Sequence, residues 1–158
     1  MSIRVASLGL VLLSVVFSAS GAFAGLLPTK ASALVTALSS PTGCPISGGP
    51  VLDVRVNADA TTSAFTIPAG QVFVITGFGW KVTALTPNIV TVTTLVLVNG
   101  ASFVPVLSSS AVADGAGAAA AQVTIPNGVA VKSGTSVCVA ASGTFVEMDV
   151  HGYFAKDK

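Results

Sequence analysis

The chain predicts an all-β domain, with about eight short antiparallel strands closed into a sandwich or barrel. Three observations carry that expectation. Runs rich in Val, Ile, Thr and Phe recur at short, regular spacing from Val51 to Phe154, bounded by Gly, Pro, Asn and Ser. No convincing helical period interrupts them. Finally, a turn that feeds a core strand is used more than once. T-I-P-A-G, Thr66 to Gly70, precedes Val72-Phe73-Val74-Ile75; T-I-P-N-G recurs from Thr124 to Gly128; and V-K-S-G-T-S-V-C-V, Val131 to Val139, has its Gly at the same offset. Pro at the second position and Gly at the fourth suit a type I turn.

The elements follow in order. Residues 1–24 read as a cleaved signal peptide: Arg4 is the positive n-region, Leu8 to Phe17 the short apolar run, and Ala22-Phe23-Ala24 the small-x-small cleavage site. Cleavage would remove Arg4 and leave acidic and basic residues in balance. Residues 25–50 read as a flexible lead-in, because 25–40 has no strong period and Pro41, Gly43, Pro45, Gly48, Gly49 and Pro50 forbid regular structure. The β domain spans 51–158. Val51 to Ala58 alternates, with Leu52, Val54, Val56 and Ala58 on one face and Asp53, Arg55 and Asn57 on the other. Ala64 to Ile67 is a short strand. Val72 to Val82 is the central one, with Gly77 and Gly79 marking a bulge or a crossing of chains. Ile89 to Val98 and Ala101 to Leu107 flank Asn99-Gly100, a strong hairpin signal. Ser108 to Gln122, nearly all Ser, Ala and Gly, reads as a mobile loop. Val123 to Ile125, Val129 to Val131, Ser136 to Ala140 and Thr144 to Phe154 complete the set.

Composition excludes several classes. Charged residues make up 8% and hydrophobic ones 52%, against about a quarter charged in ordinary soluble domains. No basic stripe exists for nucleic acid and no cationic face for a lipid surface. After cleavage no integral membrane segment is expected. A transmembrane barrel would need aromatic girdles and a polar lumen, which one Trp and one Tyr do not supply. The two cysteines, Cys44 and Cys138, are most simply one disulfide in an exported chain; free thiols or a metal pair are the alternatives.

The last strand holds the one cluster of ionisable groups. At period 2, Glu147, Asp149, His151 and Tyr153 share a face, opposite Met148, Val150, Gly152 and Phe154. Alternate residues on a strand lie about 6.6 Å apart, so this face could flank a divalent cation or act as acid and base. A solvated sheet face also wants polar residues, and that is the preferred reading of Glu147, Asp149 and His151. Trp80 could be a sugar-stacking platform, but it follows Phe78 on an apolar strand and reads as core. No G-x-S-x-G, H-E-x-x-H or phosphate-cradling glycine loop is present, so neither catalytic residues nor a cofactor are expected.

The pattern I-P-A-G-x-x-F-V-I-T, a hairpin, a Gly/Ser/Ala loop, V-K-S-G-T-S-V-C-V and a closing V-H-G-Y-F resembles small exported bacterial jelly-roll proteins without assigned activity. The resemblance covers about Val51 to Phe154. It implies a jelly-roll-like antiparallel β-sandwich, secreted to the periplasm or beyond the cell. It also implies that the first and last long strands lie side by side. Taken as Val51 to Ala58 and Thr144 to Phe154, they would set Arg55 opposite Glu147 or Asp149. The expected function is a non-catalytic structural or binding module at the cell surface, with a glycan or envelope partner. The alternative is a homo-oligomeric subunit of a filament or coat, in which the lead-in donates a strand to a neighbour's edge. Pilins of the chaperone–usher type are similar in size, export signal and possession of a Cys pair.

Overall fold

The architecture grows outward from the turn at Gly100. In the computed structural model, which describes residues 34–157, nine strands run antiparallel and no helix occurs among the described residues. β5 (Val90–Asn99) and β6 (Ser102–Val112) pair through Asn99 and Ser102. That leaves Gly100 and Ala101 as the turn, with Gly100 at φ +57°, the positive value a type II′ turn needs at its first central residue. Outside this hairpin, β4 (Gln71–Thr83) pairs with β7 (Ala119–Lys132). Next, β2 (Val51–Val56) meets β8 (Ser136–Ala141), and β1 (Leu34–Ser40) pairs with β9 (Thr144–Lys156). A short β3 (Thr62–Ala64) adds to β2. Four nested pairs wrap into the order β6-β5-β8-β2-β1-β9-β4-β7, the strand order of a jelly roll.

The ring is uneven. β2 and β8 share one ladder pair, Val51 with Cys138, plus a bond from the Val139 N–H to the Pro50 carbonyl at 3.1 Å. β6 and β7 share no ladder at all. The strands therefore fall into a broad sheet, β3-β2-β1-β9-β4-β7, and a narrow one, β8-β5-β6. Between them lies the core. β4 contributes Phe73, Ile75, Phe78, Trp80 and Val82; β9 adds Met148 and Val150; β1 adds Val35 and Ala37; Leu95, Val137 and Val139 close it from the narrow sheet. Trp80 is 3% exposed, so it is core and offers no stacking platform. At one end Phe65, Phe73 and Phe154 pack ring against ring, with centroids 5.0 to 6.3 Å apart.

Cys44 and Cys138 form the disulfide, with Cα atoms 5.7 Å apart. It is buried on the outer side of the narrow sheet, beneath Val96 and Val98 and beside Val51. The Pro- and Gly-rich segment before β2 is a compact turn, in which the Cys44 N–H donates to the Gly49 carbonyl at 2.8 Å.

Several expectations change. The lead-in 25–50 contains β1, a strand held between β2 and β9 with ladders on both sides, and the remainder of it described here carries Cys44. Residues 1–24, read as the signal peptide, lie outside the described residues, as do 25–33. Ser108 to Gln122 is mostly strand, with only 113–118 turning; there Asp114 Oδ1 accepts the N–H groups of Ala116 and Ala118, both at 2.9 Å. T-I-P-N-G makes no turn between two strands. It is a bulge within β7, where residues 125–128 stand against Thr76 alone. β7 is an edge strand, so Pro126 deprives no ladder of a donor. The turns that feed β4 and β8 are Pro68–Gln71 and Lys132–Thr135, each with glycine third rather than fourth (Gly70 φ +72°, Gly134 φ +82°).

Candidate functional site

The outer face of the broad sheet carries the sequence-predicted residues. β9 alternates as expected: Met148, Val150 and Gly152 are buried, while Glu147 and His151 are exposed and Asp149 half-buried. β1 and β4 flank it. Thr36 and Leu38 on β1 stand beside His151 and Asp149. On β4, Gly77, Gly79 and Lys81 stand beside His151, Asp149 and Glu147. On β7, Thr124, Gln122 and Ala120 extend the same three rows.

Two of the three predicted residues come together. Asp149 Oδ2 lies 2.9 Å from His151 Nε2, and His151 Nδ1 lies 3.2 Å from Thr36 Oγ1. With Nε2–H donating to Asp149, Nδ1 is left to accept the Thr36 hydroxyl. The Asp149 carboxylate reaches across the outer face of Gly79, and a Cβ there would collide with it. The missing side chain of Gly79 is what lets Asp149 lie flat. Glu147 stays apart, next to Lys81 in register, with no bond to Asp149 or His151. Among the described residues no three His, Cys, Asp or Glu converge so as to hold a metal ion.

Hydroxyl, imidazole and carboxylate in sequence resemble the nucleophile–base–orienter order of acyl-transfer enzymes. The surroundings do not complete it. His151 is half-exposed, so the relay sits in water rather than in a low-dielectric cleft. Most of the backbone beside it is engaged in the β1–β9 and β9–β4 ladders; Thr76, in the β4 bulge, stands outside them and donates its hydroxyl to the His151 carbonyl at 3.3 Å. What the face does offer is a shallow open trough of about 370 Å³, floored by Gly79 and walled by Lys81, Gln122, Glu147 and Asp149.

Arg55 is not on this face. β1 separates β2 from β9, and Asp53 is an extra residue in β2, bulged between the Leu52–Ser39 and Val54–Leu38 pairs. That bulge turns Arg55 to the side of the core residue Ala37. Its guanidinium lies over the Phe154 ring, 5.7 Å from the centroid. Asp53 instead accepts the Ser40 N–H and hydroxyl at 3.1 and 2.6 Å. The pairing expected between Arg55 and Glu147 or Asp149 is therefore overturned. Thr36 was missed because it lies in the segment read as lead-in; the alternation Val35, Ala37 against Thr36, Leu38 was the available signal.

No protein-family model matches the chain, and no curated protein aligns with it significantly.

Proposed function

We propose that this chain is an exported, non-catalytic β-sandwich that serves as a structural or binding module at the cell surface. The observation that supports this most directly is the trough beside Asp149, where polar side chains are displayed on a laddered sheet and open to solvent. Such a face suits planar hydrogen bonding to a hydroxyl-rich ligand, of the kind a glycan or envelope polymer presents, with Asp149, Glu147 and Gln122 as partners. Export rests on the features of residues 1–24 and agrees with the Cys44–Cys138 bridge, which persists in oxidising compartments. Among the described residues no helix is long and apolar enough to cross a membrane.

Glycan arrays and pull-downs with envelope material test the reading. Binding is expected for the wild type and loss of it for Asp149→Ala and Gln122→Ala. A hydrolase activity that disappears in His151→Ala would overturn it. A second reading, a self-assembling coat subunit, is supported by the narrow sheet: no Asp, Glu, Lys, Arg or His occurs in residues 82–113 or 133–146.

A further inference from the structure

The charged residues are divided unequally between the two sheets. β8, β5 and β6 carry none, whereas Asp53, Arg55, Lys81, Lys132, Glu147, Asp149, His151 and Lys156 all lie on the broad sheet. The apolar residues are divided the opposite way. Of eight large hydrophobic side chains exposed among the described residues, six belong to residues 89–112. Three of them meet on the outside of the narrow sheet: Val90 is registered with Val112, and Val92 is next along β5.

The backbone sharpens the point. β6 ends the narrow sheet and has a ladder only with β5, so its other edge presents unpaired N–H and C=O groups. Protein edges of this kind are ordinarily guarded by charge, proline or a bulge. β7, at the far end of the strand order, has all three, in Lys132, Pro126 and the bulge at 125–128. On β6 the guards are Pro105 and the bulge at Val106, both toward the hairpin tip, and Leu107-Ser108-Ser109-Ser110-Ala111-Val112 has none. A strand edge is complementary to another strand. A surface with no charge is complementary to another without charge, and elsewhere on this chain the exposed faces carry ions.

We propose that the β6 edge, Leu107 to Val112, is an interface for a second copy of this chain, paired antiparallel to the same segment about a two-fold axis. This rests on the self-assembly reading and names its contact. An isologous pairing centred on Ser109 sets Ser108 against Ser110 and Leu107 against Ala111, so that hydroxyl meets hydroxyl and apolar meets apolar. A cross-strand hydroxyl bond already forms on the outer face of this hairpin, where Thr94 Oγ1 and Ser108 Oγ lie 2.9 Å apart. The pairing would join two narrow sheets into one and bring Val112 beside the added strand, with Val90 and Val92 on the outer face of the joined sheet. Of residues 25–40, the segment the sequence suggested as a donated strand, 34–40 is already inside its own sheet.

Sedimentation velocity on the oxidised protein, across a concentration series, tests the interface. The wild type is expected to reach twice the chain mass. Ser110→Lys/Val112→Lys, both exposed positions, is expected to stay at the chain mass with an unchanged melting temperature, while Thr124→Lys, exposed on the broad sheet, still dimerises. Hydrogen exchange of the wild type gives a readout that needs no variant: amides of residues 107–112 should slow as concentration rises. A wild type that is monomeric throughout would overturn both this interface and the self-assembly reading. An oligomer that persists in the double-lysine variant, or that leaves 107–112 exchange unchanged, would overturn the interface alone.

Discussion

At the residue scale, short polar contacts shape the loops more than they add stability. Asp59, in the connection between β2 and β3, accepts the Thr61 hydroxyl at 2.6 Å and the Thr61 N–H at 3.0 Å. Those bonds favour the ionised carboxylate and hold its pKa below the ordinary value. A depressed folded pKa means that the contribution is present at neutral pH and is lost as pH falls through the folded value. An NMR titration should place the Asp59 midpoint below that of an ordinary Asp, and Thr61→Ala should move it back up. The same logic of near neighbours explains the candidate site. Asp149 and His151 meet because both point outward from one strand, whereas Glu147, two residues further back, remains separate.

At the scale of elements, the edge strands decide most of the unusual sequence. Gly128 sits in the β7 bulge at φ +66°, where a Cβ would press on the Val74 side chain and lie 3.3 Å from the Ile75 carbonyl oxygen. Gly128→Ala therefore combines backbone strain with a clash and should destabilise by about 1–3 kcal/mol in denaturant unfolding. Asn127→Ala, exposed one residue earlier, should stay within about 0.5 kcal/mol. An equal effect at both positions would contradict the bulge packing. The turn at 113–118 depends similarly on Asp114. Losing its two accepted N–H bonds should cost about 1 kcal/mol or more and speed amide exchange at Ala116 and Ala118.

At the scale of the whole molecule, the weakest of the laddered junctions is that of β2 with β8, where one ladder pair does the joining. The disulfide lies at that junction, since Cys138 is itself the residue registered with Val51. It closes a separation of 94 residues, for which constraint of the unfolded chain is worth about 4–5 kcal/mol. Cys138→Ser should lower stability by that order. In hydrogen exchange it should loosen β2 and β8 before β4 and β9, whose ladder is long. Uniform loosening would show that the bridge acts through the unfolded chain alone, with no local role at the junction.

The sequence by itself determined the all-β class, the core strand β4, the hairpin tip near Gly100 and the polar face of β9. It also pointed to the cysteine pair. These rest on local alternation, turn chemistry and composition, each readable within about ten residues. Only the tertiary structure decided the place of β1, because Leu34 to Ser40 is weakly patterned and becomes a strand through ladders supplied on both sides. The Ser- and Ala-rich ends of β6 and β7 are extended for the same reason, their low intrinsic strand preference being overridden by pairing with β5 and β4. Arg55 shows the sharpest dependence. A single bulged residue, Asp53, moved it from the predicted outer face to the aromatic end of the core, because strand faces alternate with period 2 and one extra residue reverses them.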